Sequence, residues 1–564
     1  MDDVDAVQAQ IARNMLDSGD WVIARLDGVP YLEKSPLIYW LIALSYRIFG
    51  VHDWAARIPV ALAGVLLVWT TWRYALWAFG RRIGFNAGIV IATCIGLFLF
   101  TRIQIPDVML TLSICMCFWS FQRSIEEDEQ HPRRWSIALA ASLGIGLLLK
   151  GLIAVLIPAG GIFVYLLLKK QLFSRHIWQR LHVISGAAIV LAIAAPWHVL
   201  ATFRMPPFVN FSMHSGPGEY HGFFWFYFIN EHVLRFLNLR YPRDYNTVPR
   251  LAFWGLHLLW LFPWSVYFPA AFRLRYKAED RGSRTRMLAL CWTGFVLIFF
   301  TFSTTQEYYS MPVYPALAMI LGCAMATDSV WARVAPRVLG AIGLLCVMCI
   351  AILLFLVRNV AAPGDISRAL QQHPDAYTLS LGHMGDLTLQ SFAYLCLPLI
   401  LAGIAFLGLM LACFFLRGRL SFLVIALSMV LFYQASRIAL VVFDPYLSSR
   451  PLASALIHAP HGQLVINGEY YQFSSVFFYA HTSALLWNGR RNNLEYGSYA
   501  PDSRPVFVDD GQFTSLWNSG RRCYVLSDGN GIAHLLETVD HSRLFLVAES
   551  GGKTLYSNLA ASSR

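Results

Sequence analysis

Residues 391–415 read SFAYLCLPLILAGIAFLGLMLACFF, and residues 420–443 read LSFLVIALSMVLFYQASRIALVVF, with only LRGR between them. Each run is long enough to form a helix that crosses about 30 Å of hydrocarbon. Arg417 and Arg419, which stand between the two runs, are typical of a cytoplasmic turn. The pair therefore predicts two membrane-spanning helices joined by a short cytoplasmic loop.

The same pattern extends over most of the 564 residues. The chain is 57% apolar and 14% charged, whereas an average soluble domain carries about 25% charged residues. We count about twelve candidate spans, near residues 55–80, 84–103, 105–124, 135–149, 151–168, 181–202, 251–272, 287–303, 311–327, 335–357, 391–415 and 420–443. This composition excludes a soluble enzyme, a disordered protein and a disulfide-rich secreted domain. It predicts a polytopic α-helical membrane protein.

The net charge of +11 follows from membrane topology. Lysine and arginine concentrate in six alternate short loops, from Arg81-Arg82 to Arg417 and Arg419, and such loops face the cytoplasm. We therefore expect no nucleic-acid partner. The opposite, trans side is expected to receive residues 1–54, the long 203–250 loop and everything after about residue 444.

Two domains are predicted. Residues 1–443 form a transmembrane domain with interfacial helices near the N-terminus (with Asp2, Asp3 or Asp5 as its cap), at 36–49 and at 219–239. From Asp444 onward, β-prone runs alternate with Gly, Asn and Asp, which predicts a small soluble α/β domain over 444–564. The predicted β-prone runs are 464–466, 476–479, 505–508, 522–526 and 543–547.

Ionisable side chains gather on the trans side, next to the membrane. The carboxylates are Asp2, Asp3, Asp5, Glu33, Asp107, Glu219, Glu231 and Glu307, and the basic residues are Lys34, Arg57, Arg102 and Arg235. Charged groups are costly at the edge of hydrocarbon, so these residues are candidates for a functional site.

Three of these positions have an ordinary structural alternative. Lys34, beside Glu33, suits a lipid-borne phosphate as a compact charge, but a snorkelling lysine in a local ion pair is equally consistent. Asp107 follows Pro106 and is typical of a helix cap. Arg235 lies four residues after Glu231, which favours an i,i+4 ion pair, with bidentate phosphate binding as the alternative.

Two further positions carry weaker signals. His232 is a lone histidine, which is more often structural than a metal ligand. Tyr309 lies in the polar-aromatic stretch Gln306-Glu307-Tyr308-Tyr309, which suits either an aromatic belt at the membrane surface or the lining of a site.

Several motifs together resemble a known family. MLDSGDW at 15–21, GVPYLEKSP at 28–36 and WAARIP at 54–59 form a nearly continuous block, with support at 231–236 (EHVLRF) and 311–317 (MPVYPAL). This pattern is similar to the 4-amino-4-deoxy-L-arabinose lipid A transferases. They belong to the protein O-mannosyltransferase-like membrane glycosyltransferases with the C-type glycosyltransferase fold. The resemblance covers residues 3 to about 325, and the rest more loosely.

The resemblance implies a function. The donor would be a sugar on undecaprenyl phosphate and the acceptor a lipid A phosphate, on the periplasmic face of a bacterial inner membrane, in lipid A modification linked to polymyxin resistance. We expect transfer with inversion, by a monomer within the lipid bilayer. Family members have about thirteen spans, so the leading span is expected to be missing from this sequence.

The resemblance also implies roles for the site residues. The catalytic residues are expected to be Asp5 or Asp3, together with Asp107 and Glu33. The expected ligands of the lipid phosphate are Lys34, Arg235 and Tyr309. Further candidates are Arg57, Arg102, Glu231 and His232.

Three departures from the family pattern leave questions open. Val4-Asp5 stands where the family has Asp-Glu, so that the catalytic aspartate is Asp5 or Asp3. Asn230 replaces a metal-binding histidine of some members. No cofactor is expected to be required, but a divalent metal such as zinc stays open, with Glu33 as a candidate ligand. Thr304-Thr305 replaces the family's Ser-Lys, which leaves the acceptor open.

Two other functions remain as alternatives. An enzyme of the same fold that glycosylates a protein or another glycan is the nearer one. A transporter is less favoured, because transporter sites lie near the bilayer midplane between matching repeats. Here we find no matching halves, and charges are dense at one face.

Overall fold

The computed structural model describes residues 1–243, 248–277, 279–303, 305–371 and 382–560, so Thr304 lies outside the described residues. Within these ranges, seven helices are long and apolar enough to cross a membrane, and two bent helix pairs bring the number to nine if each pair is one span. The seven are Asp53–Phe79, Asp107–Ile125, Val183–Arg204, Arg281–Thr301, Val330–Val357, Cys396–Phe415 and Gly418–Leu447. The pairs are Arg81–Thr93 with Ile95–Thr101, and Arg250–Trp260 with Trp264–Ala271, bent by 47° and 100°.

The other three predicted spans fall on helices that are shorter or more charged. These helices are Pro132–Lys150, Ile153–Leu168 and Tyr314–Ala324. A 3₁₀ segment, Glu307–Val313, leads into the last of them. The total of about twelve spans remains a prediction.

Two helices precede the first long span. Asp3–Ser18 is capped by Asp2, whose side chain accepts a hydrogen bond from Asp5 N at 2.8 Å. It ends at Gly19, which adopts a left-handed conformation with φ of 71°. The second helix, Leu37–Phe49, is short and apolar, in accord with the predicted interfacial helix.

The segment predicted as a third interfacial helix contains an unusual turn. Gly222–Phe224 is α-helical and continues into a π-helix, Trp225–Leu234. Wide π turns are frequent at functional sites, and this one carries Glu231 and His232.

The C-terminal part of the chain contains a six-stranded mixed sheet, which confirms the small sheet region expected there, while the domain boundary at 443–444 stays a prediction. The strand order across the sheet is Phe507–Val508, Ala484–Trp487, Gln463–Asn467, Cys523–Asp528, Lys553–Ser557 and Phe545–Ser550. The first four strands are parallel and the last two pair antiparallel. The helices of this part are Arg450–His458, Ser474–Ala480, Asn492–Ser498, Asp510–Asn518 and Gly529–Thr538.

One β-prone run was predicted wrongly. Residues 476–479 belong to the helix Ser474–Ala480, which packs against the N-terminal helix Asp3–Ser18. A run of four apolar residues cannot distinguish a buried strand from a buried helix. Here the helix buries Val476, Phe477 and Phe478 in the contact with its neighbours.

Candidate active site

A tight hairpin precedes Tyr31 and Glu33 and positions them. Strands Arg25–Leu26 and Val29–Pro30 pair through a two-residue turn. Asp27 and Gly28 in that turn both have positive φ, 48° and 83°, as such turns require. The chain then runs directly into Tyr31, whose hydroxyl donates to Oε2 of the buried Glu33 at 2.7 Å.

Asp107 does not cap its helix. The N-cap residue of Asp107–Ile125 is Pro106, and Asp107 is the first residue inside the helix. Instead Oδ1 of Asp107 accepts from Nζ of Lys150 at 2.5 Å. The helix-cap interpretation is therefore wrong, and the carboxylate is half of a buried ion pair.

Lys150 is the residue of this site that the sequence analysis missed. It ends the helix Pro132–Lys150, where a basic residue is ordinarily favoured by the helix dipole. A usable signal existed, because the helix begins next to Arg133 and Arg134, in a loop predicted to be cytoplasmic, so that its end is predicted to lie on the trans side. A lysine there runs against the general bias of basic residues toward the cytoplasm.

His232 supports the helix break next to Lys150. Its Nδ1 donates to Tyr227 O at 2.5 Å, and its Nε2 accepts from the backbone N–H of Leu152 at 3.0 Å. Burial lowers the pKa of His232 to about 4, so the ring is neutral, as the accepting nitrogen requires. Gly151 has φ of 71°, and a Cβ on it would lie 2.5 Å from Nε2 of His232.

Arg235 forms the centre of the cationic group. Its Nη1 lies 2.7 Å from Oε2 of Glu231 and 3.6 Å from Oε1 of Glu33. Its Nη2 donates to the hydroxyl of Tyr309 at 3.0 Å. The predicted i,i+4 pair with Glu231 is thus present, and the same guanidinium also reaches the predicted partner Tyr309.

One cavity of about 310 Å³ joins these groups. Its charged and polar lining includes Glu33, Lys34, Ser35, Asp107, Lys150, Tyr227, Glu231, His232, Arg235, Ser303 and Tyr309. Its apolar lining includes Leu110, Leu152, Ile153, Leu156, Ile157, Val233, Phe236, Phe299 and Phe300. Lys34, Asp107 and Arg235 therefore lie around a shared cavity, which the predicted site requires.

The cavity brings three cations together. Lys34, Lys150 and Arg235 all line it, and each is only partly exposed, by 20%, 19% and 14% of its side chain. Each has a carboxylate partner that also lines the cavity: Glu33 for Lys34, Asp107 for Lys150 and Glu231 for Arg235. The ring of Tyr309 lies under the ammonium of Lys150 at 4.7 Å, a further cation-stabilising contact.

Glu33 does not fit the role of a metal ligand. Its Oε1 pairs with Lys34, and its Oε2 accepts from Tyr31 and from Asn493. Burial alone would raise the pKa of Glu33, but the adjacent cations Lys34, Arg240 and Arg235 lower it below its usual range. Over the described part of the chain, no group of three His, Cys, Asp or Glu side chains is arranged to hold a metal.

Four predicted site residues, Asp3, Asp5, Arg57 and Arg102, do not line this cavity. Asp5 pairs with Arg57 at 2.5 Å and accepts from the backbone N–H of Gln104 at 2.7 Å. Arg57 also donates to the carbonyl of Arg102 at 2.5 Å. These three residues therefore form a separate cluster at the N-terminal helix.

Asp3 fastens the N-terminal helix to the sheet domain. Its Oδ2 contacts Nζ of Lys553 at 2.7 Å and accepts from Ser449 Oγ at 2.9 Å. Its Oδ1 accepts from the backbone N–H of Ser475 at 2.8 Å. Both oxygens are therefore occupied by protein groups.

Comparison with solved structures identifies the fold. The chain aligns with the crystal structure of ArnT from Cupriavidus metallidurans bound to undecaprenyl phosphate, with a TM-score of 0.79 and 23% identity over 99% of this chain and 94% of that one. The apo form of the same protein gives a TM-score of 0.75 at 22% identity, over 100% and 95% of the two chains.

Sequence comparisons agree with this result. Residues 33–199 match the family model described as dolichyl-phosphate-mannose-protein mannosyltransferase. An undecaprenyl phosphate-alpha-4-amino-4-deoxy-L-arabinose arabinosyl transferase from Aeromonas salmonicida is 29% identical over 61% of this chain and 60% of its own. The predicted resemblance to the 4-amino-4-deoxy-L-arabinose transferases is confirmed. The fold is accordingly the C-type glycosyltransferase fold of a multi-pass membrane protein.

The extent of the sequence match is limited. The chain spans about 60% of the length of the curated relatives that it matches first. The matched family model begins at Glu33 and ends in the helix Val183–Arg204, so that it contains Lys34, Asp107 and Lys150. Arg235 and Tyr309 lie beyond it and join the cavity only through the tertiary fold.

Proposed function

We propose that this protein transfers 4-amino-4-deoxy-L-arabinose from undecaprenyl phosphate to a phosphate of lipid A. The observation that carries the proposal is the grouping of Lys34, Lys150 and Arg235 around one cavity. Charge that develops on a leaving phosphate in the transition state is stabilised by fixed cations at that place. Relatives named undecaprenyl phosphate-alpha-4-amino-4-deoxy-L-arabinose arabinosyl transferase support the choice of sugar and donor.

The apolar side of the cavity supports a lipid-linked donor. Leu152, Leu156 and Val233 line the cavity and yet are exposed by 43%, 41% and 41%. Exposed apolar side chains beside a charged cavity suit a ligand with an anionic head and a hydrocarbon tail. A water-soluble sugar nucleotide has no hydrocarbon tail to pack against these exposed apolar side chains.

The carboxylates in this proposal position the reactants. A phosphate acceptor is already anionic and needs no general base, whereas a hydroxyl acceptor needs one. Asp107 lines the cavity, and among the described contacts its Oδ2 has no hydrogen-bond partner, so this oxygen can accept from an amino-sugar, while Glu33 holds Lys34. One displacement suffices, so we propose inversion at the anomeric carbon. A trapped covalent glycosyl-enzyme would contradict this.

We also propose that turnover requires no metal. The oxygens of Glu33 are engaged by Lys34, Tyr31 and Asn493, so a cation would have to displace protein donors. Turnover that survives EDTA treatment would agree with this proposal. Loss of turnover in EDTA that is restored by zinc would contradict it.

The location and assembly are part of the same proposal. We place the cavity on the periplasmic side of a bacterial inner membrane, with the basic loops in the cytoplasm, and expect a monomer to be active. Cysteine accessibility to a membrane-impermeant maleimide would test the orientation, with single cysteines introduced at exposed positions of the basic loops and of the sheet domain.

The decisive experiment is a transfer assay. The full chain, purified and reconstituted in phosphatidylethanolamine vesicles, would receive synthetic undecaprenyl-phosphate aminoarabinose and lipid A. Mass spectrometry is expected to show lipid A heavier by one aminopentose residue, and only when the donor is present. The same donor with a peptide or glycan acceptor tests the alternative acceptors. Transfer to one of these but not to lipid A would overturn the proposed acceptor.

A further inference from the structure

The C-terminal sheet domain contacts Glu33, one of the residues that line the cavity. The helix Asn492–Ser498 follows the strand Ala484–Trp487 and carries Asn493 in its first turn. Nδ2 of Asn493 donates to Oε2 of Glu33. Oδ1 of Asn493 accepts from Nη2 of Arg240. A single amide side chain therefore joins a cavity carboxylate to a buried guanidinium.

Arg240 extends this connection to the second cavity carboxylate. Only 6% of Arg240 is exposed, and its Nε donates to Oε1 of Glu231 at 2.6 Å. Its Nη1 donates to Pro242 O at 2.6 Å. The connected groups thus run from Glu231 through Arg240 and Asn493 to Glu33.

The helix that carries Asn493 is fixed by contacts of its own. Oε1 of Glu495 accepts from the hydroxyl of Tyr241 at 2.6 Å. The hydroxyl of Tyr496 accepts from the backbone N–H of His221 at 3.0 Å and donates to Gly222 O at 3.1 Å. A Cβ on Gly497 would lie only 2.0 Å from Pro30 O, so the helix backbone is packed directly on the hairpin before Glu33.

We propose that Asn493 is a positioning residue through which the C-terminal domain sets the cavity for catalysis. Glu33 pairs with Lys34 and lies 3.6 Å from Arg235, so its orientation governs where both cations stand. Asn493 holds Glu33 toward them and satisfies Arg240 at the same time. This inference rests on the proposed function, because it concerns the same cavity.

The physical consequence of losing Asn493 is a competition for Glu33. Arg240 would be left without its amide acceptor, and it lies close enough to Glu33 to lower the pKa of that carboxyl. The carboxylate would then turn toward Arg240 and away from Lys34. Small displacements of charged groups at a reacting centre are costly, and a misplacement of about 1 Å can cost about 100-fold in rate.

The test compares Asn493→Ala and the isosteric Asn493→Asp with a control on the same helix, Ser498→Ala. Ser498 bonds only the carbonyl of Glu495 among the described contacts. With the vesicle assay above, we expect kcat to fall at least about tenfold in Asn493→Ala and to change little in the control. The KM for the donor should change less than kcat, because Asn493 does not line the cavity.

The Asn493→Asp variant supplies a readout that a purely structural role would not move. The introduced carboxylate still accepts from Arg240, but it cannot donate to Glu33 and places a second negative charge beside that residue. From pH 6 to 8 the adjacent cations keep Glu33 ionised, so the introduced charge repels it, and kcat should fall further in Asn493→Asp than in Asn493→Ala although Asp nearly keeps the shape of Asn. The charged and titratable groups around this pair are Tyr31, Lys34, Tyr39, Glu231, Arg235 and Arg240.

The outcomes separate this inference from the proposed function. If the wild type transfers sugar and Asn493→Ala does so equally well, the positioning role is wrong and the proposed function stands. If both variants lose activity by the same factor at every pH, Asn493 has no specific role toward Glu33, and the inference also fails. A wild type inactive with every donor and acceptor would refute the proposed function.

Discussion

Two of the regions in which carboxylates meet cations, the cavity and the surroundings of the N-terminal helix, differ in the space that they leave for a ligand. In the cavity, Glu33 and Asp107 pair with Lys34 and Lys150 beside about 310 Å³ of open volume. Around the N-terminal helix, Asp3 is enclosed by protein donors and Lys553. In sequence, both regions are acidic residues near apolar segments. Paired charges alone therefore do not identify a binding site. The free volume beside them distinguishes the cavity from the region around Asp3.

The largest effect expected from this comparison is at Lys34. Lys34→Ala removes a cation that lines the cavity, and losing one such donor to a developing negative charge costs about 10²- to 10³-fold in kcat. The measurement is initial transfer rate at saturating donor. Lys277→Ala, an exposed lysine outside the cavity, is the matched control and should retain full activity. Equal rates for Lys34→Ala and Lys277→Ala would show that the cavity is not the site of transfer.

Lys150 should come next, because its charge is shared between Asp107 and the cavity. We expect Lys150→Ala to lower kcat about 100-fold and Lys150→Arg to recover part of that loss. Asp107→Asn keeps the side chain's shape and tests the other half of the pair. If Lys150→Ala transfers sugar as well as Lys277→Ala does, Lys150 has only a structural role at the end of its helix.

His232 should give a smaller effect with a specific pH signature. His232→Gln keeps an acceptor near the backbone N–H of Leu152 but loses the ring geometry, so we expect kcat to fall about tenfold. Because the pKa of His232 is lowered to about 4, the histidine is neutral between pH 6 and 8. The pH–rate profiles of wild type and variant should therefore have the same shape over this interval.

A profile for the wild type that declines below pH 7, together with one for His232→Gln that does not, would contradict this prediction. It would mean that the ring takes up a proton near neutral pH and that the accepting Nε2 is lost in that interval.

The smallest effect on turnover is expected at Asp5. Asp5→Asn loses the ion pair with Arg57, which is partly exposed, so we expect about 1–2 kcal/mol less stability and a lower apparent Tm. Turnover below the new Tm should be nearly unchanged, since Asp5 does not line the cavity.

The catalytic assignment of Asp5 from the sequence stays a prediction, and this variant decides it. A fall in turnover of about 100-fold with an unchanged Tm would show that Asp5 is a catalytic residue. Asp3→Asn offers a parallel measurement in the same helix, where the expected loss is again in stability.

Much of the site could be predicted from local motifs. Lys34 and Glu33 occur together in the GVPYLEKSP block, and Glu231 and Arg235 share one helical turn. Their proximity follows from short separations in the chain. Lys150 and Asn493 could not be found this way, because Lys150 resembles an ordinary helix end and Asn493 lies 460 residues from Glu33.

The sequence by itself determined that this is a helical membrane protein with a small sheet domain, because apolar run length and loop charge act locally and need no partner. It also predicts which ionisable residues lie beside the membrane. The tertiary structure alone decided which of them face a shared cavity. Long-range packing selects those neighbours: it joined Asp107 to Lys150, and it turned Asp3 toward Lys553 instead of the cavity.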